Sequence, residues 1–263
     1  MCVITISRGL FSGGRALAQA VAQELGYRCV GRKVILERAA ARGASHEELR
    51  EALEKPPGLI DRLSHKRYVF LYLLQAALAE EVRDGDVVYH GLAGHLLLRD
   101  APRVLRIRLL APMESRIAAA QDRIRFGREE AEAYLKKMDD DRRKWSHYLY
   151  GVDWEDPSLY DLVVNLECMQ LDQASRMVAA LARQKHFEFD AECRQKMDEL
   201  ALQSRVRADL ALHPATARFE LQVVADRGTI SIRGDIPKDL RIVEEMKVIA
   251  GTVPGVTKVR LGA

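Results

Sequence analysis

The stretch that most constrains the fold of this chain is ITISRGLFSGGRALAQAVAQELG, from Ile4 to Gly26. A short β-branched run leads into a glycine-rich turn, and the turn leads into a segment with the periodicity of an amphipathic helix. A turn of this kind collects free backbone N–H groups and the positive end of the helix dipole at one point. The segment therefore predicts an anion-binding loop at the end of a strand. The alternative is a glycine turn that joins a strand to a helix and binds nothing.

The loop matches the phosphate-binding pattern G-x-x-x-x-G-K-[ST] only in part. Gly9 and Gly14 have the required spacing, but Arg15 stands at the lysine position and Ala16 at the Ser/Thr position. Arginine keeps the positive charge, although its planar group prefers two oxygens of one ligand group. A shift of one residue puts Gly14 at the lysine position, so the register stays open. Because Ala16 cannot bind a metal, we expect no protein metal site here and expect Mg²⁺ to be held by phosphate oxygens and water.

The first 187 residues alternate between predicted strands and predicted helices. Strands are expected at residues 3–7 and 87–89, within RVLRIRLLAP and within YDLVVNLE, and residues 33–83 are expected to be helical except at KPPG, residues 55–58. This alternation predicts an α/β fold with a doubly wound parallel sheet covered on both faces. Ligands of such sheets bind at the carboxyl ends of the strands. That rule points to residues 8–15, residues 90–95 and the loop after residue 110.

The pattern changes after about residue 187. A helix over residues 191–212, a hairpin that turns at residues 226–228, a helix over residues 238–250 and a final strand predict a small αββαβ unit. We therefore predict two domains, residues 1–187 and residues 188–263.

Composition argues against several classes of protein. The net charge of +3 is too small to indicate nucleic-acid binding, and no segment reaches the roughly 18 apolar residues of a membrane span. The four cysteines form no CxxC pair, which favours reduced structural thiols over a metal or disulfide framework. The N-terminus has no basic region followed by an apolar stretch, so we expect a cytoplasmic protein.

Three segments together resemble the cytidylate kinase-like proteins, relatives of the bacterial CMP kinases. They are ITISR…SGGR, VVYHGLAGHLLLRD and APMESRI…LKKMDDDRRKWSHYLYGVDWEDPSLYDLVVN, and the resemblance covers about residues 1–185. It implies a P-loop kinase-like fold with helical segments for nucleoside monophosphate binding and for a lid. The C-terminal GTISIRGDIP…AGTVPGVTKVRLG resembles a BON domain, a small module proposed to bind lipids or other ligands.

The resemblance implies a donor site for ATP or another nucleoside triphosphate on the glycine-rich loop. Its candidate residues are Arg8, Ser12, Gly13, Gly14, Arg15 and Ala16. A lid would clamp the transferring phosphoryl group, with Arg116 and Arg142 as catalytic cations beside Arg15, with Lys137 and Arg143 nearby, and with Asp139 orienting them. Phosphoryl transfer needs positive charge around spread negative charge, which these residues would supply. The alternative for most lid charges is a solvated helix face with i,i+4 ion pairs.

The expected acceptor side departs from the family pattern. CMP kinases carry an acidic residue followed by Gly, Arg and Asp where this chain has His90, Gly91, Leu92 and Ala93. The candidate acceptor residues are therefore His90, Gly91, His95 and Arg32. A histidine there could hydrogen-bond a phosphate or serve as an acid or base, and His90 is also a catalytic candidate. The alternative is a buried histidine bonded to a backbone carbonyl.

The expected function is transfer of the γ-phosphoryl group of a nucleoside triphosphate to a nucleoside monophosphate or another small acceptor. Loss of the loop lysine, the loop Ser/Thr and the acceptor Arg–Asp pair favours an alternative, a catalytically weak or inactive nucleotide sensor that signals through the BON-like domain. A third hypothesis gives residues 205–263 a lipid or protein ligand, although a dimerisation or packing unit fits the same build. The oligomeric state stays open.

Overall fold

In the computed structural model, which describes residues 2–54, 66–91 and 93–262, a five-stranded parallel sheet forms the centre of the larger part of the chain. The expected break at residues 55–58 and the acceptor-side Leu92 lie outside the described residues. In spatial order the strands run β2-β3-β1-β4-β5, so the first strand is central and the chain builds outward on both sides of it. The predicted α/β class with a doubly wound parallel sheet is confirmed.

Strands and helices alternate as the sequence predicts, with β2 and α5 in addition to the predicted elements. The first part of the chain contains β1 (Val3–Arg8), α1 (Gly14–Leu25), β2 (Arg28–Val30), α2 (Arg32–Ala40), α3 (His46–Glu54), α4 (Lys66–Val82), β3 (Val87–Tyr89), α5 (Gly94–Leu97), β4 (Val104–Leu110), α6 (Met113–Ile124), α7 (Arg128–Tyr150), β5 (Leu162–Asn165) and α8 (Leu171–Ala182). The second part contains α9 (Ala191–Leu212), β6 (Leu221–Asp226), β7 (Thr229–Gly234), α10 (Leu240–Thr252) and β8 (Lys258–Leu261).

The edge strand β2 was missed by the sequence prediction. It has three residues, Arg28 and Cys29 are exposed, and only Val30 is buried. A strand this short carries too few side chains to show the alternation that marks a longer strand. Its position follows from parallel pairing with β3.

The alternating strand residues divide between two cores. Ile4, Ile6 and Ile107 pack under α1 and α8, whereas Val3 and Tyr89 belong to the core on the opposite face. Because successive side chains of a strand point to opposite faces, a sheet buried on both faces has strands that are apolar throughout. The sheet is therefore packed between two helical layers, and the loops at the carboxyl ends of its strands are the parts that can form a ligand site.

Helix α9 connects the two parts of the chain. Met197, Leu200 and Ala208 belong to the large core with α4, while Leu202 and Val206 pack beneath the three-stranded sheet β6-β7-β8. In that sheet β6 and β7 are antiparallel, and α10 crosses over to bring β8 parallel to β7. The helix is apolar on two sides because it serves two cores at once. The domain boundary at residues 187 and 188 stays a prediction.

None of the helices in the described ranges combines the length and the apolar character that a membrane crossing requires.

Candidate functional site

The carboxyl ends of β1 and β3 form the point at which the sheet changes direction. The chain leaves β1 toward β2 and β3 on one side, and it returns past β1 to reach β4 on the other. Loops that part in this way leave a crevice between them, which is where ligands of open α/β sheets bind. The glycine-rich loop follows β1, and His90 and Gly91 follow β3, so both predicted segments lie at this crevice.

The glycine-rich loop ends in the conformation of a helix N-terminus that is open to a ligand. Gly13 is the N-cap of α1 with φ of 80°, and no side chain caps the helix there. Ser12 is buried, and its Oγ donates to the carbonyl oxygen of Gly9 at 3.0 Å. A Cβ on Gly14 would overlap the side chain of Arg8, so only glycine lets that guanidinium arm cross the start of α1. The first N–H groups of α1 are therefore exposed beside a cation, which suits an anion.

A cleft of about 490 Å³ opens beside this loop and is strongly cationic. Its lining residues are Arg8, Leu10, Arg15, Gln19, Cys29, Gly31, Arg32, Lys33, Val34, His90, Gly91 and Arg142. Five of these side chains are arginine or lysine, and no aspartate or glutamate is among the described residues that line the cleft. A second helix begins here, because Gly31 is the N-cap of α2 and also lacks a side-chain cap. The cleft thus collects five cations and the N-terminus of α2, and Arg15 connects it to the first turn of α1, whereas Ser12, Gly13 and Gly14 do not line it.

The predicted lid arginine Arg116 is held in a buried ion pair beneath the loop. Its two Nη atoms donate to the two carboxylate oxygens of Asp139 at 2.7 and 3.0 Å, and its Nε donates to the carbonyl oxygen of Leu10 at 2.9 Å. A Cβ on Gly9 would lie 2.9 Å from the Arg116 guanidinium. Arg116 therefore joins α6, α7 and the glycine-rich loop, and Asp139 orients it.

The second lid arginine, Arg142, reaches the same loop from α7. Its Nη1 donates to the carbonyl oxygen of Arg8 at 2.7 Å, and its nearest Asp139 oxygen is 4.0 Å away. Burial, together with the charge of Arg8, lowers the pKa of Arg142 to about 10. Burial is also the main reason why the pKa of Arg8 is lowered. Two guanidinium groups that repel each other are thus buried at the wall of the cleft with little negative charge around them.

The two predicted acceptor histidines lie in different cavities. His90 lines the cationic cleft, whereas His95 lies behind the wall that Arg8 and Arg142 form, in a smaller cavity. Burial, with the charge of Arg8, lowers the pKa of His90 to about 4. His95 is 4% exposed, and burial lowers its pKa to about 3 with help from Arg108. Both rings are therefore neutral near pH 7, and the structure does not bring them to one ligand.

Several other candidates lie at the edge of the site or outside it. Arg15 and Ala16 are exposed in the first turn of α1, and Arg15 lines the cleft. Lys137 is largely exposed and pairs with Asp141 at 2.6 Å on α7. Arg143 turns away from the loop to bind Glu155 at 2.6 Å. Neither Lys137 nor Arg143 lines the cleft, and both make the ion pairs of a solvated helix face.

Position 91 requires glycine because there is no room for a side chain. A Cβ there would overlap the hydroxyl group of Tyr89, and a Cβ on Gly94 would also collide with the Tyr89 ring. Tyr89 is 1% exposed and fills the space under both glycines. The G-x-x-G spacing after β3 therefore lets the chain turn tightly over a large buried ring, which places His90 at the mouth of the cleft.

Sequence reasoning missed the buried polar group behind the loop. Arg108 on β4 donates to the carbonyl oxygen of Trp154 at 3.1 Å and to Glu155 at 3.1 Å. The hydroxyl group of Tyr160 donates to the same Trp154 carbonyl at 2.7 Å and lies 3.1 Å from His95 Nε2. One signal was available, because an arginine on a strand expected to be covered on both faces must find buried partners.

This geometry defines a class of protein: an α/β fold with a cation-lined cleft at the switch point of a parallel sheet. The comparisons narrow the class. The chain belongs to the cytidylate kinase-like family, whose model matches residues 3–168. The predicted resemblance to this family is confirmed, while the BON-like identity of the C-terminal unit stays a prediction.

Relatives and one solved structure agree with this assignment. The chain is 30% identical over 164 residues to a cytidylate kinase of Pyrococcus horikoshii, covering 62% of this chain and 79% of the relative. It is 32% identical over 166 residues to a cytidylate kinase of Methanothrix thermoacetophila, covering 62% and 87%. A crystal structure of an uncharacterized protein from Eubacterium ventriosum superposes with a TM-score of 0.54 at 17% identity, covering 68% of this chain and 97% of that one. The last likeness supports the fold alone.

Proposed function

We propose that this protein is a phosphotransferase that moves the γ-phosphoryl group of a nucleoside triphosphate to a nucleoside monophosphate or a related small acceptor. The triphosphate lies on the glycine-rich loop and the N-terminus of α1, with Arg15 in place of the usual lysine. The acceptor lies toward the N-terminus of α2, Arg32 and His90. Arg142 and Arg116 lie on the lid side of the transferring group. Family membership supports the reaction class, and the cleft supports the placement.

One observation carries the proposal: five cations, among them Arg15 in the first turn of α1, line one cleft with Gly31, the uncapped N-terminus of α2, and no described lining residue is acidic. Phosphoryl transfer depends on positioning and on stabilisation of negative charge spread over several oxygens. A cleft of about 490 Å³ is within the range of small-molecule sites. Its electrostatics favour a ligand with several negative charges.

Magnesium fits this site only as an ion that the nucleotide brings. Within the described ranges, no three His, Cys, Asp or Glu side chains gather as a metal site would require. The Ala16 side chain offers no oxygen, and Ser12 is buried with its hydroxyl donating to the carbonyl oxygen of Gly9. Mg²⁺ tolerates such a site because it keeps several water ligands and binds through substrate phosphates. When bound, it would neutralise part of the phosphate charge.

A coupled kinase assay over a panel of nucleoside monophosphates, with calorimetric titration of ATP, tests the proposal. Arg15→Met should weaken ATP binding about tenfold or more, because charge-assisted hydrogen bonds contribute about 1.5–3 kcal/mol each. Arg176→Met is the matched control, since Arg176 is an exposed helix arginine on α8 paired with Asp172. A folded protein that does not bind ATP would overturn the proposal.

The same experiment separates the enzyme from a nucleotide sensor. The sensor is favoured by the absence of a hydroxyl at position 16 and of acidic residues along the described cleft lining. A sensor binds ATP with the same dependence on Arg15 but transfers phosphate to no acceptor in the panel. Turnover with any acceptor, lost in Arg142→Met, selects the enzyme.

A further inference from the structure

Trp154 lines the smaller cavity behind Arg8 and Arg142, and its ring faces two arginines. The Arg108 guanidinium lies 4.0 Å from the centre of its ring, and the Arg142 guanidinium lies 5.6 Å from it. The indole is 5% exposed. Guanidinium groups within about 6 Å of an aromatic ring are attracted to its face, and the attraction is strongest for Trp and for desolvated pairs. The ring thus contacts a structural arginine and a lid arginine at once.

The backbone of Trp154 is held firmly. Its carbonyl oxygen accepts hydrogen bonds from Arg108 and from the Tyr160 hydroxyl, and its N–H donates to the Ser146 hydroxyl at 3.3 Å. Arg108 is also paired with Glu155. These partners come from β4, from α7 and from the segment before β5, so they anchor the Trp154 backbone, whereas the ring is held by burial and by the Arg108 guanidinium against it.

Arg142, in contrast, has few groups that fix its direction. It donates one hydrogen bond to the Arg8 carbonyl, and its Nε is buried with no hydrogen-bond partner in the structure. The nearest carboxylate, Asp139, is 4.0 Å away and already accepts two bonds from Arg116. The indole ring is therefore a main contact that can hold the planar guanidinium group of Arg142 at the cleft.

We propose that Trp154 is a positioning residue, whose ring fixes the orientation of the Arg142 guanidinium for phosphate binding. Because the Trp154 backbone is bonded to Arg108, it holds Arg142 on α7 in a fixed position relative to β4. The inference rests on the proposed function for its consequence, which is tighter binding of the donor phosphates. The contact between Trp154 and Arg142 does not depend on the proposed function. The alternative, a Trp154 that only fills space, makes different predictions about Arg142.

Nucleotide affinity of the full-length protein tests the consequence. ATP titrated by calorimetry should bind about tenfold more weakly to Trp154→Leu, the size expected for loss of a desolvated cation–π contact. Trp154→Phe keeps an aromatic face and should remain within about threefold of the wild type. The matched control is Phe189→Leu, because Phe189 is also buried under an arginine, Arg194 at 5.2 Å, outside the cleft. Equal ATP binding by Trp154→Leu and wild type would overturn the proposal.

A double-mutant cycle separates positioning from packing. In an Arg142→Met background, Trp154→Leu should cause no further loss of ATP affinity, because the residue through which it acts is gone. A further loss of the same size would show that Trp154 acts by another route, and the proposal would be wrong.

A measurement without nucleotide keeps the contact testable if ATP does not bind. The chain has two tryptophans, so Trp145→Phe leaves Trp154 as the only indole emitter. Adding Arg142→Met should shift the emission maximum, because a charge near the ring face is removed. Adding Arg128→Met, on the same helix and paired with Glu114, should not. An unchanged spectrum in Arg142→Met would refute the contact, whereas a shift without ATP binding would refute only the proposed function.

Discussion

Replacing Asp139 with asparagine should destabilise the protein strongly, although it changes one atom of an internal ion pair. Asp139 accepts two hydrogen bonds from Arg116, whose side chain is 9% exposed. Asparagine keeps the shape but loses the charge, and it turns one acceptor into a donor that faces another donor. Arg116 would stay positively charged and buried, bonded to the Leu10 carbonyl and to one neutral amide oxygen instead of a carboxylate.

The size of the effect follows from that burial. Removing one partner of a buried pair costs about 3–5 kcal/mol, because the other charge is left without compensation in a poorly solvated place. At about 2 °C per kcal/mol for a chain of this length, the midpoint of thermal unfolding should fall by about 6–10 °C. The glycine-rich loop should also become more mobile in this variant, because Arg116 connects α6 and α7 to the Leu10 carbonyl of the loop.

The chain contains a matched control that joins the same two helices. Glu114 on α6 and Arg128 on α7 form a bidentate pair at 2.8 and 2.7 Å, but both side chains are more than half exposed. Exposed pairs contribute about 0–1 kcal/mol. Urea unfolding should therefore show a loss for Glu114→Gln several-fold smaller than for Asp139→Asn. Equal losses, or a loss under about 1 kcal/mol for Asp139→Asn, would refute the reasoning from burial.

Two further predictions concern the rest of the site. His95 has a pKa of about 3 in the folded protein, against an ordinary value of 6.5. Below pH 6.5 the unfolded state therefore binds more protons than the folded state, and the free energy of unfolding falls as the pH drops. At pH 5 the loss should be about 2 kcal/mol. The free energy of unfolding, measured with urea between pH 5 and 7, should depend less on pH in His95→Gln than in the wild type. In the exposed His186→Gln the pH dependence should be unchanged. Gly91→Ala should cost about 3 kcal/mol through overlap with Tyr89, whereas Gly251→Ala, in open space on α10, should stabilise by up to about 1 kcal/mol; thermal melts that rank the two alike would contradict this.

Much of the fold could be predicted because it depends on patterns that run through many residues. The long apolar strands β1 and β4, the charged helices α6 and α7 and the helix over residues 191–212 are all marked by periodicity. What the pattern could not show is local. β2 is too short for a period, and α5 has four residues that begin at a left-handed Ala93. Both depend on pairing and packing supplied by residues far away in the sequence.

The position of the candidate site could be predicted from the sequence, but the contacts of its individual side chains could be predicted only in part. The switch-point rule placed the glycine-rich loop and His90 at one crevice, because it needs only strand order. Which arginine faces the loop depends on helix rotation within α7, where Arg142 and Arg143 are neighbours that point in different directions. Sequence proximity cannot decide that, and it cannot show that Arg8 and Arg142 separate His95 from the cleft. Trp154 had no assigned role, because its contact with Arg108 joins residues 46 apart in sequence and its contact with Arg142 depends on the same helix rotation.

The buried arginines predict that a polyanion bound in the cleft stabilises the protein. Arg8 and Arg142 are held in a poorly solvated wall, where burial lowers the pKa of both. The charge of Arg8 lowers the pKa of Arg142 further, and Asp139 is engaged by Arg116. Burying like charges together lowers the stability of the protein alone. A polyanion in the cleft supplies the missing negative charge, so part of its binding free energy comes from relief of this repulsion. The ligand should therefore raise the unfolding midpoint by mass action. That rise should shrink in Arg142→Met even though the unliganded variant has lost an unfavourable charge.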